Sequence, residues 1–159
     1  MDSAIQRESA FVWIAKLYTF IQQLKSEWNM KKTMNVLLWI AQVLISTSLL
    51  WAACIKLFQP IEQLEIMWPW TGDVSSTFVR LTGAIDLLGA LGVVLPALFR
   101  FKPTLVSIAA IGIVLLMISA SIFHICRGEA SQIGFNIVFA VIAGFVAYGR
   151  WKLVPILSK

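Results

Sequence analysis

Apolar positions collect into four blocks along the chain, at about 34–58, 77–99, 103–126 and 133–149. Each block has the roughly 20 residues that a helix needs to cross a bilayer. Short polar or proline-bearing connections separate the last three blocks, as in antiparallel neighbours. The pattern predicts an all-α fold, an integral membrane antiparallel four-helix bundle. Ahead of it, Ala10, Ile14, Leu17, Tyr18, Ile21, Leu24 and Trp28 recur at helical spacing, with Ser9, Lys16, Thr19, Gln23, Ser26 and Glu27 opposite. That periodicity predicts an additional N-terminal amphipathic helix over 5–28, and a division into an extension, 1–33, and a membrane domain, 34–159. The extension either lies on the cytoplasmic membrane surface or is a dispensable stretch before a chain start at Met30.

Composition identifies the solvent. Of 159 residues, 59% are hydrophobic and 13% charged, against roughly half and a quarter in globular proteins, and the mean hydropathy is +0.83. A soluble chain this short could not enclose so much apolar surface. The net charge of +5 sits in short clusters beside the apolar blocks, a pattern of membrane orientation that argues against a nucleic-acid partner. Lys31, Lys32, Arg100, Lys102, Arg150, Lys152 and Lys159 fall on one side. By the positive-inside rule both termini are then cytoplasmic, in a bacterial-type inner membrane. The first 33 residues lack the compact apolar core and cleavage site of a signal peptide.

The connection QPIEQLEIMWPWTGDVSS is long and rich in Trp and Met. Trp68 and Trp70 suit the membrane interface, where an indole ring is buried while its N–H stays wet. Residues 61–67 read as a short helical or re-entrant piece over the outer mouth of the bundle, with a plain interfacial loop as the alternative.

Polar residues inside a span are costly and carry the information. Lys56, Arg80, His124 and Asn136 each lie near the outer end of a different helix, at similar depth. Asp86 is roughly 9 Å deeper than Arg80 at 1.5 Å rise per residue, and their six-residue separation does not share a face. Asp86 is therefore expected to meet a group from a neighbouring helix. These five, Lys56, Arg80, Asp86, His124 and Asn136, are the candidate ligand-binding residues. Against that stand ordinary roles: snorkelling for Lys56 and Arg80, interhelical glue for Asn136 and a satisfied hydrogen bond for His124. The glycines of LTGAIDLLGALG read as packing surfaces.

Several chemistries are excluded or disfavoured. One histidine per chain cannot supply a two-histidine haem. His124, Cys126 and Cys54 fall short of the four ligands of a structural zinc site, so no metal is expected. Cys54 and Cys126 read as inert buried thiols, although a disulfide is geometrically conceivable. No serine sits in a GxSxG elbow, and no catalytic residue is assigned.

The order of CIKLFQP, RLTGAIDLLGALGVVLP, FHICRGE and NIVFAVIAGFVAYGR resembles the DoxX-like family of small four-helix membrane proteins, over about 35–151. The family's second-helix acid is commonly glutamate, so Asp86 would be its shorter counterpart; the segment before Met30 is not part of the family pattern. The resemblance implies subunits associated with quinone-linked oxidoreductases, parts of membrane complexes in oxidative stress defence or, more distantly, a chaperone for receptor assembly. The expected function is an accessory protein, not an enzyme on its own, that binds a quinone-like or lipid amphiphile in an outer-leaflet polar pocket. It would support a membrane oxidoreductase subunit, as a monomer or homo-oligomer. The alternative is an interaction or assembly protein with no small-molecule chemistry, docking through its glycine-rich second helix and Trp-rich loop. A transporter is the weaker third, for want of an inverted repeat.

Overall fold

The computed structural model describes residues 2–157. Five α-helices follow in order: α1 (Asp2–Phe58), α2 (Ile61–Met67), α3 (Ser76–Phe99), α4 (Thr104–Cys126) and α5 (Ile133–Tyr148). A 3₁₀ turn, Pro69–Thr71, follows α2, and another, Ala130–Gln132, precedes α5. A π-helical turn, Gly149–Leu153, continues α5. The expected short piece over 61–67 is a helix, α2, started by Pro60 and stopped by the extended Trp68.

The largest departure from the sequence pattern is α1. The amphipathic segment and the first span are one continuous helix. No proline or glycine occurs before Pro60, so neither a lost N–H nor a flexible φ interrupts the backbone ladder. The polar Asn29, Lys31 and Lys32 change what faces outward without ending the helix. By contacts the chain divides into two compact units, Met1–Val36 and Leu37–Lys159. In the first, Trp13, Leu17, Phe20, Leu24 and Trp28 are all exposed. The side chains of Ser9, Ala10 and Ile14, and Lys159 with them, lie outside the described residues.

In the second unit the helix ends follow local chemistry. Ser75 caps α3, its Oγ accepting from Phe78 N at 3.3 Å, which satisfies one of the orphan donors of a first turn. Arg100 ends α3 in the left-handed region at φ 54°. Pro96 stands in the last turn of α3, where its missing N–H leaves the carbonyl four residues back without its helical donor.

The core is a seam of small and branched residues. Val79, Gly83, Asp86, Ala90, Val93 and Ala97 form the buried face of α3 at three- and four-residue steps. Of these, Ala90, Val93 and Ala97 share one core with Ile45 and Leu49 of α1, Ala110 and Ile113 of α4, and Ala143 and Val146 of α5. Glycine allows two close approaches: a Cβ on Gly83 would lie 2.8 Å from Lys56 Cβ, and one on Gly92 2.9 Å from Ala109 Cβ. These glycines are spent on packing within the bundle.

Four helices are long and apolar enough to cross a membrane, and only 17–33% of each apolar window is buried inside the chain. The remainder is a belt of exposed Leu, Ile, Val and Phe. In water such a surface would drive aggregation; lipid tails cover it at no cost. The protein is an all-α membrane protein.

Candidate functional site

Polar side chains gather at the end of the bundle where α1 and α4 finish and α3 and α5 begin. Lys56, in the last turn of α1, turns inward. Its Nζ donates to Asp86 Oδ2 at 2.7 Å, with the side chains 15% and 4% exposed. The partner expected from a neighbouring helix is thus Lys56. Above the pair, Nζ lies 5.6 Å from the Trp68 ring centroid and 5.8 Å from that of Trp70. Trp68 stands edge-on to Trp51 at 5.9 Å. α2 and its 3₁₀ turn therefore roof an ion pair with two indoles, and cation–π attraction adds to the carboxylate's hold on the ammonium.

Arg80 does not reach Asp86. Its guanidinium donates to the carbonyls of Lys56 and Gln59. These are among the last acceptors of α1, which a helix C-terminus leaves without intrahelical donors. Arg80 thereby fixes the backbone that carries Lys56.

His124 belongs to a separate network. Its Nδ1 lies 2.8 Å from Glu129 Oε2. Arg127 donates through Nε to Glu129 Oε1 at 3.0 Å and through Nη2 to Asp73 Oδ2 at 2.6 Å. The Asp73 contact ties the loop after Trp70 to the end of α4. Phe123 continues the tie, edge-on to Trp70 at 5.7 Å and to His124 at 5.6 Å. His124 is thus hydrogen-bonded to Glu129, and its network ties the roof to α4.

The electrostatics of this clamp make it acid-sensitive. Hydrogen bonds from Arg127 first, then His124, hold the Glu129 carboxyl below its ordinary 4.5, and Glu129 in turn raises Arg127. A carboxyl depressed in the folded state contributes stability above its unfolded pKa and loses it as pH falls through the folded value. The roof should therefore loosen only below about pH 4.5, and Glu129→Gln should remove that pH dependence. Acrylamide quenching of tryptophan fluorescence between pH 7 and pH 3 reports it, as increased access in wild type and a flat profile in the variant.

Asn136 stands apart from both networks. It lines a groove between α4 and α5 with Met117, Ser121 and Ala140. Thus the five residues singled out in the sequence fall into three sets: Lys56, Asp86 and Arg80 at the roofed ion pair, His124 in the clamp, and Asn136 in the groove.

Sequence reasoning missed a polar cluster at the opposite end. Gln42 is fully buried and Arg150 only 4% exposed. Gln42 Nε2 donates to Val93 O at 2.6 Å, and Arg150 Nε donates to Gln42 Oε1 at 2.7 Å. Arg150 Cζ lies 5.5 Å from the Trp39 ring centroid. The signal was present: Phe139, Ala143, Val146 and Arg150 follow helical steps, which puts the arginine on the buried face and not only at an interface.

Among the described residues no group of three or more His, Cys, Asp or Glu is placed to hold a metal. Cys54 and Cys126 are free, but exposed and not buried as the sequence suggested, because both stand on outward faces of their helices. What the site offers is an ammonium held by one carboxylate beneath aromatic rings. This arrangement can donate to a carbonyl or phosphate oxygen and stack against a planar ring; it presents no activated nucleophile.

A search of curated proteins and a search of solved structures return no match. A family model, the DoxX-like family, matches residues 40–146. That interval runs from the middle of α1 to the last turn of α5 and takes in the ion pair, its roof and the clamp. The chain belongs to the DoxX-like family.

Proposed function

We propose that this protein is an accessory membrane protein that holds the headgroup of a quinone-like or lipid amphiphile beside Lys56 and Asp86, beneath Trp68 and Trp70, and supports an oxidoreductase partner. The observation that carries the proposal is the roofed ion pair. A charge within a span is expensive, and apolar residues of similar volume often do the structural job of a buried pair as well or better. A buried pair that packing does not require therefore points to use. Lys56 keeps 15% of its side chain accessible against 4% for Asp86, so the cation is the group that a ligand reaches. An ammonium has three donors, and Asp86 takes one of them. A second can meet a ligand carbonyl, with an indole against the ligand ring.

In this reading the membrane is a bacterial-type inner membrane, both termini are cytoplasmic and the roof faces outward, following the distribution of Lys and Arg. Arg80 is a positioning residue for Lys56, and the His124 clamp holds the roof. The test is gentle purification from native membranes followed by extraction and mass spectrometry. Wild type should carry near-stoichiometric quinone, and a Lys56→Met, Asp86→Leu double variant should carry none while unfolding at a similar temperature. Bulk phospholipid alone on wild type, or equal quinone on both proteins, would overturn the proposal.

A further inference from the structure

Away from the ion pair, one buried donor lacks an acceptor. Asn136 Nδ2 is buried with no hydrogen-bond partner among the described residues. The residue lines a groove of 410 Å³ between α4 and α5, whose other walls include Met117, Ile118, Ile122 and Val141. Ile118, Ile122 and Val141 are exposed on the outer surface of the bundle, so the groove opens toward lipid. Ser121, also in the lining, spends its hydroxyl proton on Met117 O at 2.8 Å.

A buried amide N–H left without an acceptor is costly. A molecule in the bilayer can supply the acceptor that Nδ2 does not find within the chain. Depth identifies which one. Asn136 is three residues into α5, about 4.5 Å below the helix start, where the hydrocarbon core gives way to the interfacial region. The acceptor that a bilayer offers at this level is the ester carbonyl of a glycerolipid, and the acyl chain attached to it is an apolar body suited to the groove. The carboxamide turns on a soft terminal torsion, which lets Nδ2 face that carbonyl.

We infer that the α4–α5 groove is a lipid site, distinct from the site proposed at Lys56: one acyl chain of a diester glycerolipid lies in the groove, with its ester carbonyl accepting from Asn136 Nδ2. The full-length protein is to be reconstituted in an equal mixture of dioleoylphosphatidylcholine and its diether analogue, which has the same headgroup and tails but no carbonyl. Retained lipid is then read by native mass spectrometry. Wild type should retain the diester about three- to tenfold over the diether, the range of one hydrogen bond in a membrane. Asn136→Leu should retain the two equally, and Ala140→Trp, which fills the groove, should retain neither. The Lys56→Met, Asp86→Leu variant should keep the wild-type ratio, so failure here is separable from failure of the quinone proposal. Equal retention by wild type would overturn the inference. So would efficient crosslinking of Ile137→Cys between copies, in a background lacking Cys54 and Cys126, because a second copy would then cover the groove.

Discussion

Replacing Asp86 with alanine should destabilise the bundle by about 3–5 kcal/mol, the cost of stranding a buried cation. Lys56 Nζ has Asp86 Oδ2 at 2.7 Å as its acceptor, and the two indoles above it cannot replace a carboxylate. Removing both charges, as in Lys56→Met with Asp86→Leu, should recover most of the loss, because apolar side chains in that space carry no desolvation penalty. Thermal unfolding in detergent, arranged as a double-mutant cycle, separates the coupling from the two single effects. A single Asp86→Ala variant as stable as wild type would mean that Lys56 escapes to the interface when released, as a long aliphatic stem permits. Asp86→Glu probes reach, since the family's more common acid must fit beneath Lys56 with one further methylene.

The second large effect is expected at Gly83, where α3 packs closely against α1. A Cβ there would lie 2.8 Å from Lys56 Cβ and 3.2 Å from Leu57 Cγ. Both neighbours are near the backbone of a long helix, so they cannot swing aside as the tip of a flexible chain would. Gly83→Leu should cost about 1–3 kcal/mol or more by overpacking. It should also separate Lys56 from Asp86, coupling a packing change to the electrostatics of the site. Leu57→Ala in the same chain should restore part of the stability by opening room. If Gly83→Leu unfolds like wild type and leaves the ion pair's coupling energy unchanged, the close approach is not needed to hold the pair.

The membrane class and four spans were legible because hydropathy and length are properties of the chain alone. A block of about 20 apolar residues has few alternatives to a bilayer, and helices α2, α3 and α4 start where Pro60, Ser75 and Pro103 act locally. The short α2 was also legible, from a helical run between Pro60 and Trp68. The fusion of the N-terminal segment with the first span was obscured by the polar Asn29, Lys31 and Lys32. Polarity there changes the face presented outward, whereas only a proline or glycine would have weakened the backbone.

Pairing was decided elsewhere. The sequence by itself determined that this is an all-α membrane protein, that the six-residue spacing of Arg80 and Asp86 is not a same-face one, and that Asp86 was to be expected against a group from a neighbouring helix. The tertiary structure alone decided that Lys56 turns inward to Asp86 while Arg80 serves the carbonyls of α1, that His124 meets Glu129, and that Asn136 opens on a separate groove. It also decided that Arg150 is buried against Gln42, 108 residues away. The physical reason is the same in each case. Hydropathy is summed over a segment and survives without partners, whereas a hydrogen bond is made within about 3 Å and depends on rotation and register between helices, which one helix's sequence does not specify.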